Sequence, residues 1–390
     1  MSEIKVNSIK GVAASTAALT INNTDGTCTA NITSLNGGQF SNRNKLINGE
    51  NLISQRGTSE TGVSSTKYAS APDRWQFYAY PSGQSGTFTV SQDSTAPNGF
   101  QKSYKVDCTT ADTSLQADSG VILRQTIEEQ NLHDFRKGFS DAKQFSLSFY
   151  VKTTKTGTYV CELYDMRNTR HVSATYTVSD TNWNRYIITF PADTTGAFTS
   201  GSNGGGMIVH WWLVAGTNYT SGSLGTTWGN TAANRAVGQL NFADSTSNDF
   251  YLTGCQLEVG SVATDFEHRS FAEELALCQR YFQQIGASGQ DGTYTVAGGY
   301  LYSHGTYMAS GYIMPVMMRA TPTITQGSTG LQCKSDGTTS NITSYNFIET
   351  VFPSTHISIS GALASDAGNE DELCMWVNPS NGNATLSAEL

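Results

Sequence analysis

Between residues 44 and 260 the chain returns again and again to strand-length runs in which apolar and polar residues alternate. They read "DRWQFYAY", "GTFTVSQ", "KSYKVDC", "SGVILRQTI", "QFSLSFYVK", "GTYVCELYD", "VSATYTV", "NRYIITF", "GGMIVHWWLVAG" and "DFYLTGCQLEV". A period of two puts successive side chains on opposite faces of a sheet, so each run offers an apolar face that must be buried against another layer. Many such runs, separated by turns at regular spacing, predict an antiparallel β-sandwich or jelly roll. In "MIVHWW", Trp211 and Trp212 are neighbours on one strand and must point to opposite faces. At least one of them therefore faces away from the sandwich core, toward a second layer, another chain or a ligand.

Composition supports a mainly β chain. Charged residues make up 14 %, and 38 Gly stand against 8 Pro, with Thr, Ser and Asn filling much of the rest. One stretch departs from this pattern. In "EVGSVATDFEHRSFAEELALCQRYF", Ser270 stands three residues before Glu273, the spacing of a capping box, so a helix is expected from about Phe271. Phe271, Leu275, Cys278, Phe282 and Ile285 then step by four and three into a narrow seam that ends at Gly286, which predicts a helix with that seam buried and Glu274 on the opposite face.

The expected division is an N-terminal arm over 1–40, a jelly-roll sandwich over 41–265, a connecting helix over 266–286 and a C-terminal β domain over 287–390. In the arm, "ALTIN" and "CTANI" flank Asp25-Gly26, a hairpin signal with too little apolar surface to fold alone. In the last domain Tyr300, Tyr302 and His304 alternate on one strand face, with Tyr307 and Tyr312 close behind among small residues. Small neighbours let rings stand proud of a sheet, so these five are the first candidates for contact with a receptor. On the sandwich, Trp211, Trp212 and Trp228 are candidates for the faces on which sugar C–H surfaces pack, along with core or subunit-contact roles.

Charge narrows the partners. A net charge of −9 with no basic run argues against a nucleic-acid backbone. No stretch approaches a membrane span or an apolar signal core. The seven cysteines, Cys28, Cys108, Cys161, Cys255, Cys278, Cys333 and Cys374, are widely spaced with no C-x-x-C pair, which reads as scattered buried thiols rather than a zinc site. No cofactor or metal is expected from these patterns.

Two resemblances add to this reading. The middle segment, from "NKLINGENLISQRG" through "QFSLSFYVKTTKTGTYV" to "DFYLTGCQLEVG", resembles the jelly-roll carbohydrate-binding modules that accompany xylanases and glucanases. That likeness implies a structural calcium where the first "NG-acid" turn meets the last strand; Glu50 matches the first position and Thr253 occupies the second. The start "EIKVNSIKG", the pair "NKLINGENLISQRG" and "APDRW", the long "LTGCQLEVGSVATDFEHRSFAEELALCQRYF" and "MPVMMRATPTIT" are similar to tail fibre proteins of marine and cyanobacterial phages. This resemblance implies a homotrimeric fibre in the virion tail, made in the host cytoplasm. Its arm would join a tail or baseplate protein, and its far end would meet a host glycan or other surface receptor.

Other classes were open at the level of sequence. A tail spike that cuts polysaccharide needs two carboxylates flanking the bond, and the available acids include Glu128 and Glu129, Glu162 and Asp165, and Glu370, Asp371 and Glu372. None sits in a motif that fixes a pair across a cleft, so no catalytic residue is assigned. A purely structural virion protein, in a collar or as decoration, is the remaining alternative.

Overall fold

The computed structural model describes residues 42–81, 83, 85–198 and 201–285 continuously. Beyond these it describes 294–302, 307–326, 331–335, 338–349, 356–365, 373–378 and 384–390, and before them 8–9, 19–21, 24 and 28–30. The three short N-terminal strands β1 (Ser8–Ile9), β2 (Leu19–Ile21) and β3 (Cys28–Ala30) pair antiparallel in the order β1-β2-β3. The rest of the expected arm lies outside the described residues.

The ten expected runs, joined by one further strand at 59–63 that was not expected, form two antiparallel sheets. Strands β4 (Ser59–Val63), β5 (Gln76–Tyr80), β6 (Thr87–Asp93), β7 (Ser103–Thr110), β8 (Gly120–Glu128), β9 (Phe145–Thr153), β10 (Gly157–Asp165), β11 (Arg170–Val178), β12 (Asn184–Phe190), β13 (Gly205–Ala215) and β14 (Asp249–Val259) follow in chain order. Five make one sheet in the order β11-β10-β13-β8-β5, and six make the other in the order β12-β9-β14-β7-β6-β4. Trp75, Phe77, Phe88, Tyr104, Phe149, Trp211 and Phe250 fill the space between the sheets and are buried. Trp211 sits at the centre, 5.4 Å from Trp75 and 5.6 Å from Phe149 in tilted and edge-on contacts of the kind aromatic quadrupoles favour.

Strand β13 is buried along nearly its whole length, on both faces. A strand covered on one side only would alternate between buried and exposed; here the segment after β13, with the short helix α1 (Thr217–Thr220), folds back over the outer face. Its Ala236 and Tyr219 pack with Trp212, Ile122 and Val160 in a second small cluster. The two tryptophans thus belong to two different layers.

The helix α2 runs from Phe271 to Gln279, and the Ser270 side chain accepts from the Glu273 N–H as the capping spacing predicts. It is shorter than expected. Phe282 and Ile285 lie not on the helix but on strand β15 (Phe282–Ile285), which pairs with β23 (Ala384–Ser387) near the C-terminus. Phe271 is 61 % exposed and Leu275 half-buried, so among the seam residues only Cys278 is buried on the helix itself. Glu274, expected on the outer face, is buried: it accepts from the Asn48 N–H and from Arg269. Tertiary bonds explain the early stop. Arg280 donates twice to Glu128 at 2.8 Å, the Tyr281 hydroxyl donates to the same carboxylate at 2.5 Å, and the Tyr281 carbonyl accepts from the Ala388 N–H at 2.7 Å.

Around this turn the quoted sequence motifs close into one junction. Asn48 and Asn51 adopt left-handed backbone, a conformation asparagine tolerates better than most residues. Gly49 lies against β14, where an added Cβ would stand 2.3 Å from the Cys255 carbonyl oxygen. Asn44 donates to Cys255 and accepts from the N–H groups of Leu46 and Leu257, and Trp75 donates to the Asn48 carbonyl. Arg74 is buried, pairs with Glu389 and lies 3.4 Å over the Tyr281 ring. Arg56 pairs with Asp73 and Glu389.

The C-terminal part contains β16 (Tyr294–Tyr302), β17 (Tyr307–Ile313), β18 (Thr323–Gln326), β19 (Gln332–Ser335), β20 (Thr338–Glu349), β21 (His356–Leu363) and β22 (Leu373–Asn378). Six of these close into a barrel in the order β16-β17-β21-β20-β19-β22, while β15, β23 and β18 form a separate three-stranded sheet. Leu301, Met308, Met314, Met318, Cys333, Ile342, Ile359 and Leu386 are its buried core. Closure removes the open edges that would otherwise invite pairing with other chains.

Candidate functional site

On the outer face of the five-stranded sheet, alternation and register bring together residues that are far apart in sequence. Tyr78 opposes Ile122, which opposes Trp212. One rung further, Gln76, Arg124, His210, Glu162 and Ser173 lie side by side across five strands, and the next rung carries Thr126, Ile208, Tyr164 and His171. The segment after β13 closes over this face by backbone pairing of His171 with Gly229 at 2.8 and 2.9 Å and by Ser173 N–H to the Gly225 carbonyl at 2.7 Å. Tyr219 and Arg235 come down from that segment. Between them and the sheet lies a cleft of about 180 Å³ lined by Tyr78, Arg124, Tyr164, His210, Trp212, Tyr219 and Arg235. That is below the ~300–1,000 Å³ of sites for drug-sized ligands, and it suits one small polar ring or a chain end.

The electrostatic centre of the cleft is Glu162, which is buried. It accepts from His210 Nδ1 at 2.6 Å, Trp212 Nε1 at 3.1 Å, and Arg235 Nε and Nη2 at 2.6 and 2.9 Å. Burial alone would raise the Glu162 carboxyl, but the Arg235 guanidinium and the His210 hydrogen bond override it and hold it down to about 2. Burial presses His210 down to about 4 in spite of the carboxylate beside it, so the ring is neutral at pH 7. With Nδ1–H donated to Glu162, Nε2 is left as an acceptor, and it is buried with no partner among the described residues. The Arg235 guanidinium lies 4.8 Å from the Tyr164 ring, 5.4 Å from Trp212 and 5.6 Å from Tyr219, which fixes the three rings around one cation.

Arg124 completes the wall. Its Nε donates to Gln76 at 2.6 Å and its guanidinium lies 4.2 Å over the Tyr78 ring. Burial moves it below the usual guanidinium range, with Tyr78 opposing that shift. It remains a cation at any ordinary pH.

Three larger hollows, of about 430, 740 and 470 Å³, border the junction. In the first two, charges are closed against one another: Lys45 pairs with Asp134 at 2.6 Å in the first, and Lys67 with Glu60 and Arg56 with Glu389 at 2.8 Å in the second.

The candidate residues fall in several places. Trp212 forms part of the cleft, but Trp211 is core. Trp228 packs at the edge of the core, donating to the Pro191 carbonyl at 2.8 Å with the Lys137 ammonium 5.0 Å from its ring, and it does not line the cleft. Tyr300 and Tyr307 are 50 % and 41 % exposed on the barrel wall, and the Tyr302 backbone pairs with Tyr307. Tyr312 differs from them: it lies half-buried against the barrel core. His304 and the acidic cluster at 370–372 lie outside the described residues.

Arg124, Glu162, Tyr164, His210 and Arg235 were not brought together by sequence reasoning. The available signal was a titratable residue, Arg124, Glu162 or His210, inside each of three strand-like runs, "VILRQTI", "VCELYD" and "MIVHWW". Their mutual register is not written in any one of these runs.

The calcium position does not fit an ion. Glu50 faces His268 Nδ1 at 3.2 Å and has Glu274 as a further charged neighbour, and the Thr253 hydroxyl donates to the Lys102 carbonyl at 2.7 Å, so the two positions do not converge on one ion. Among the described residues no group of three potential metal ligands occurs, and no helix is long and apolar enough to cross a membrane. Cys108, Cys161, Cys255, Cys278 and Cys333 are buried free thiols.

No family model matches the chain, and no curated protein matches it. Solved structures similar to it include a family 16 carbohydrate binding module, at 16 % identity over 43 % of this chain and 84 % of that one with a TM-score of 0.24. The C-terminal family 22 carbohydrate binding module of a Clostridium thermocellum protein is 14 % identical over 54 % of this chain and all of that one, with a TM-score of 0.27. A family 11 carbohydrate-binding module from Clostridium thermocellum, in complex with a β-1,3-1,4-mixed-linked tetrasaccharide, is 12 % identical over 54 % and 99 %, with a TM-score of 0.25.

Proposed function

We propose that this chain is a glycan-binding attachment protein of a phage tail fibre, which seats a sugar of the host surface in the cleft beneath Tyr219 and Arg235 without cleaving it. The observation that supports sugar binding is the cleft itself: the half-buried rings of Tyr78, Tyr164 and Tyr219 line it, over a buried Trp212, beside a buried acceptor, His210 Nε2, and the guanidinium of Arg124. Apolar ring faces with a few fixed polar groups are what a sugar, with C–H faces and hydroxyl edges, requires. The residues lining the cleft include no carboxylate, and Glu162, buried behind them, is fully engaged by Arg235, His210 and Trp212, whereas glycoside hydrolysis calls for two free ones.

The fibre part of the reading is supported by the sequence resemblance. On that reading three chains assemble, the arm over 1–40 docks on a tail or baseplate protein, and Tyr300 and Tyr307 on the barrel add contacts that gain from avidity. Light scattering is then expected to give three times the 41.9 kDa chain mass, and a monomer at micromolar concentration would remove the trimer from the proposal. Deleting the arm should leave a cell-binding protein that no longer joins virions.

The decisive test is a binding panel of host-surface oligosaccharides against the wild-type protein and a Tyr164→Ala, Tyr219→Ala double variant. Binding that falls in the variant while the melting temperature is kept supports the assignment. Undiminished binding by a folded variant places recognition elsewhere.

A further inference from the structure

We infer that the cleft selects an acidic sugar, whose carboxylate or sulfate is held by the Arg124 guanidinium while a neighbouring hydroxyl donates to His210 Nε2. The inference rests on the sugar-binding reading above and names the class of sugar. It follows from a count of charges and hydrogen bonds. Two guanidinium groups, Arg124 and Arg235, line the cleft, and one carboxylate, Glu162, is buried behind it. Glu162 is consumed: its two oxygens accept four hydrogen bonds from Arg235, His210 and Trp212, and none from Arg124. Among the described residues no carboxylate pairs with Arg124, whose one hydrogen bond runs through Nε to the neutral Gln76 amide. The neutral His210 ring adds no charge, so one positive charge is left over in a half-buried site.

That surplus is unlike the handling of arginine at the junction. Arg56, Arg74, Arg269 and Arg280 each meet at least one carboxylate there, as buried charges are expected to. The Gln76 bond and the Tyr78 ring hold the Arg124 plane in place and leave its two terminal nitrogens for a bidentate acceptor, the arrangement that suits carboxylate and sulfate oxygens. His210, which carries the Nε2 acceptor, sits directly opposite Arg124 on the adjacent strand as its register partner. An anion on Arg124 therefore sets its own ring over the acceptor. A neutral sugar would fill the same space but leave the guanidinium without a counter-charge.

The test uses the full chain and matched pairs of probes: methyl glucuronide with methyl glucoside, methyl galacturonide with methyl galactoside, and galactose 6-sulfate with galactose. Titration calorimetry or saturation-transfer NMR is expected to show at least one acidic member bound about tenfold or more tightly than its neutral partner, the difference a charge-assisted pair supplies. The preference should shrink as salt rises, and Arg124→Gln should abolish it. Salt dependence of the wild-type protein carries the test if the variant does not fold. Equal binding within every pair overturns the acidic-sugar inference and leaves sugar binding standing. If no probe and no host oligosaccharide binds, the cleft reading falls and the inference with it.

Discussion

The junction and the cleft are both knots of buried charge, yet they are built to opposite ends. At the junction, Glu128 receives Arg280 and Tyr281, Glu274 receives Arg269 and the Asn48 N–H, and Glu389 receives Arg56 and Arg74. Charges meet charges across elements as distant in sequence as residues 56 and 389. In the cleft, Glu162 and Arg235 cancel, but Arg124 keeps its charge and His210 keeps a bare acceptor. A closed set of charges fixes geometry, whereas an open one leaves something for a ligand to complete. The long sequence motifs that first draw the eye belong to the closed set.

If the junction is structural, breaking it should give the largest effect in the molecule. Glu128→Ala leaves Arg280, Gln130 and the Tyr281 hydroxyl without their shared acceptor, and a loss of about 3–5 kcal/mol is expected on the scale for removing one member of a buried pair. Calorimetry should show a fall in Tm of many degrees; a Tm within a degree or two of wild type would show that this knot holds little. Glu274→Ala should also be costly, in contrast to what its helical position suggested.

Acid should act on the cleft before the junction fails. His210 is held at about 4, below its ordinary 6.5, so between those values the unfolded chain binds a proton that the folded chain refuses. Stability from this group is therefore full above pH 6.5 and falls as pH drops toward 4, at up to about 1.4 kcal/mol per pH unit. Glu162, held at about 2 against an ordinary 4.5, adds a loss in the same direction from about 4.5 downward. Denaturant melts at several pH values should show that slope; because burial also lowers His171, His210→Gln should reduce the part between 6.5 and 4 without removing it. A wild-type stability unchanged across this window would contradict the neutral buried ring.

A smaller effect on stability with a larger one on binding is expected for Tyr164→Ala. The half-buried ring supports Arg235 and faces the cleft, so sugar affinity should drop about tenfold, while folding loses about 1 kcal/mol. Loss of folding instead would move Tyr164 to the structural side of the comparison. Tyr300→Ala on the barrel should change stability least, by about 0.5 kcal/mol or less. Its effect should be confined to adsorption by the assembled fibre, where avidity multiplies weak contacts; equal adsorption by mutant and wild-type particles would remove the barrel wall from recognition.

The sequence by itself determined what depends on near neighbours. The two-residue period marked ten runs as strands and sent Trp211 and Trp212 to opposite faces. Ser270 and Glu273 marked where α2 begins, because capping is satisfied within one turn. Tertiary structure decided the rest. The helix stops at Gln279 because Arg280 and Tyr281 have partners on β8 and at the C-terminus, and this moves Phe282 and Ile285 from a helical seam onto a strand. Glu274 is buried because the Asn48 turn and Arg269 close over it. The cleft needed most from the fold: Arg124, Glu162, His210 and Arg235 meet only once β8, β10 and β13 are in register and the segment after β13 folds back. Register is fixed by pairing between distant strands, so no local pattern could place those four groups together.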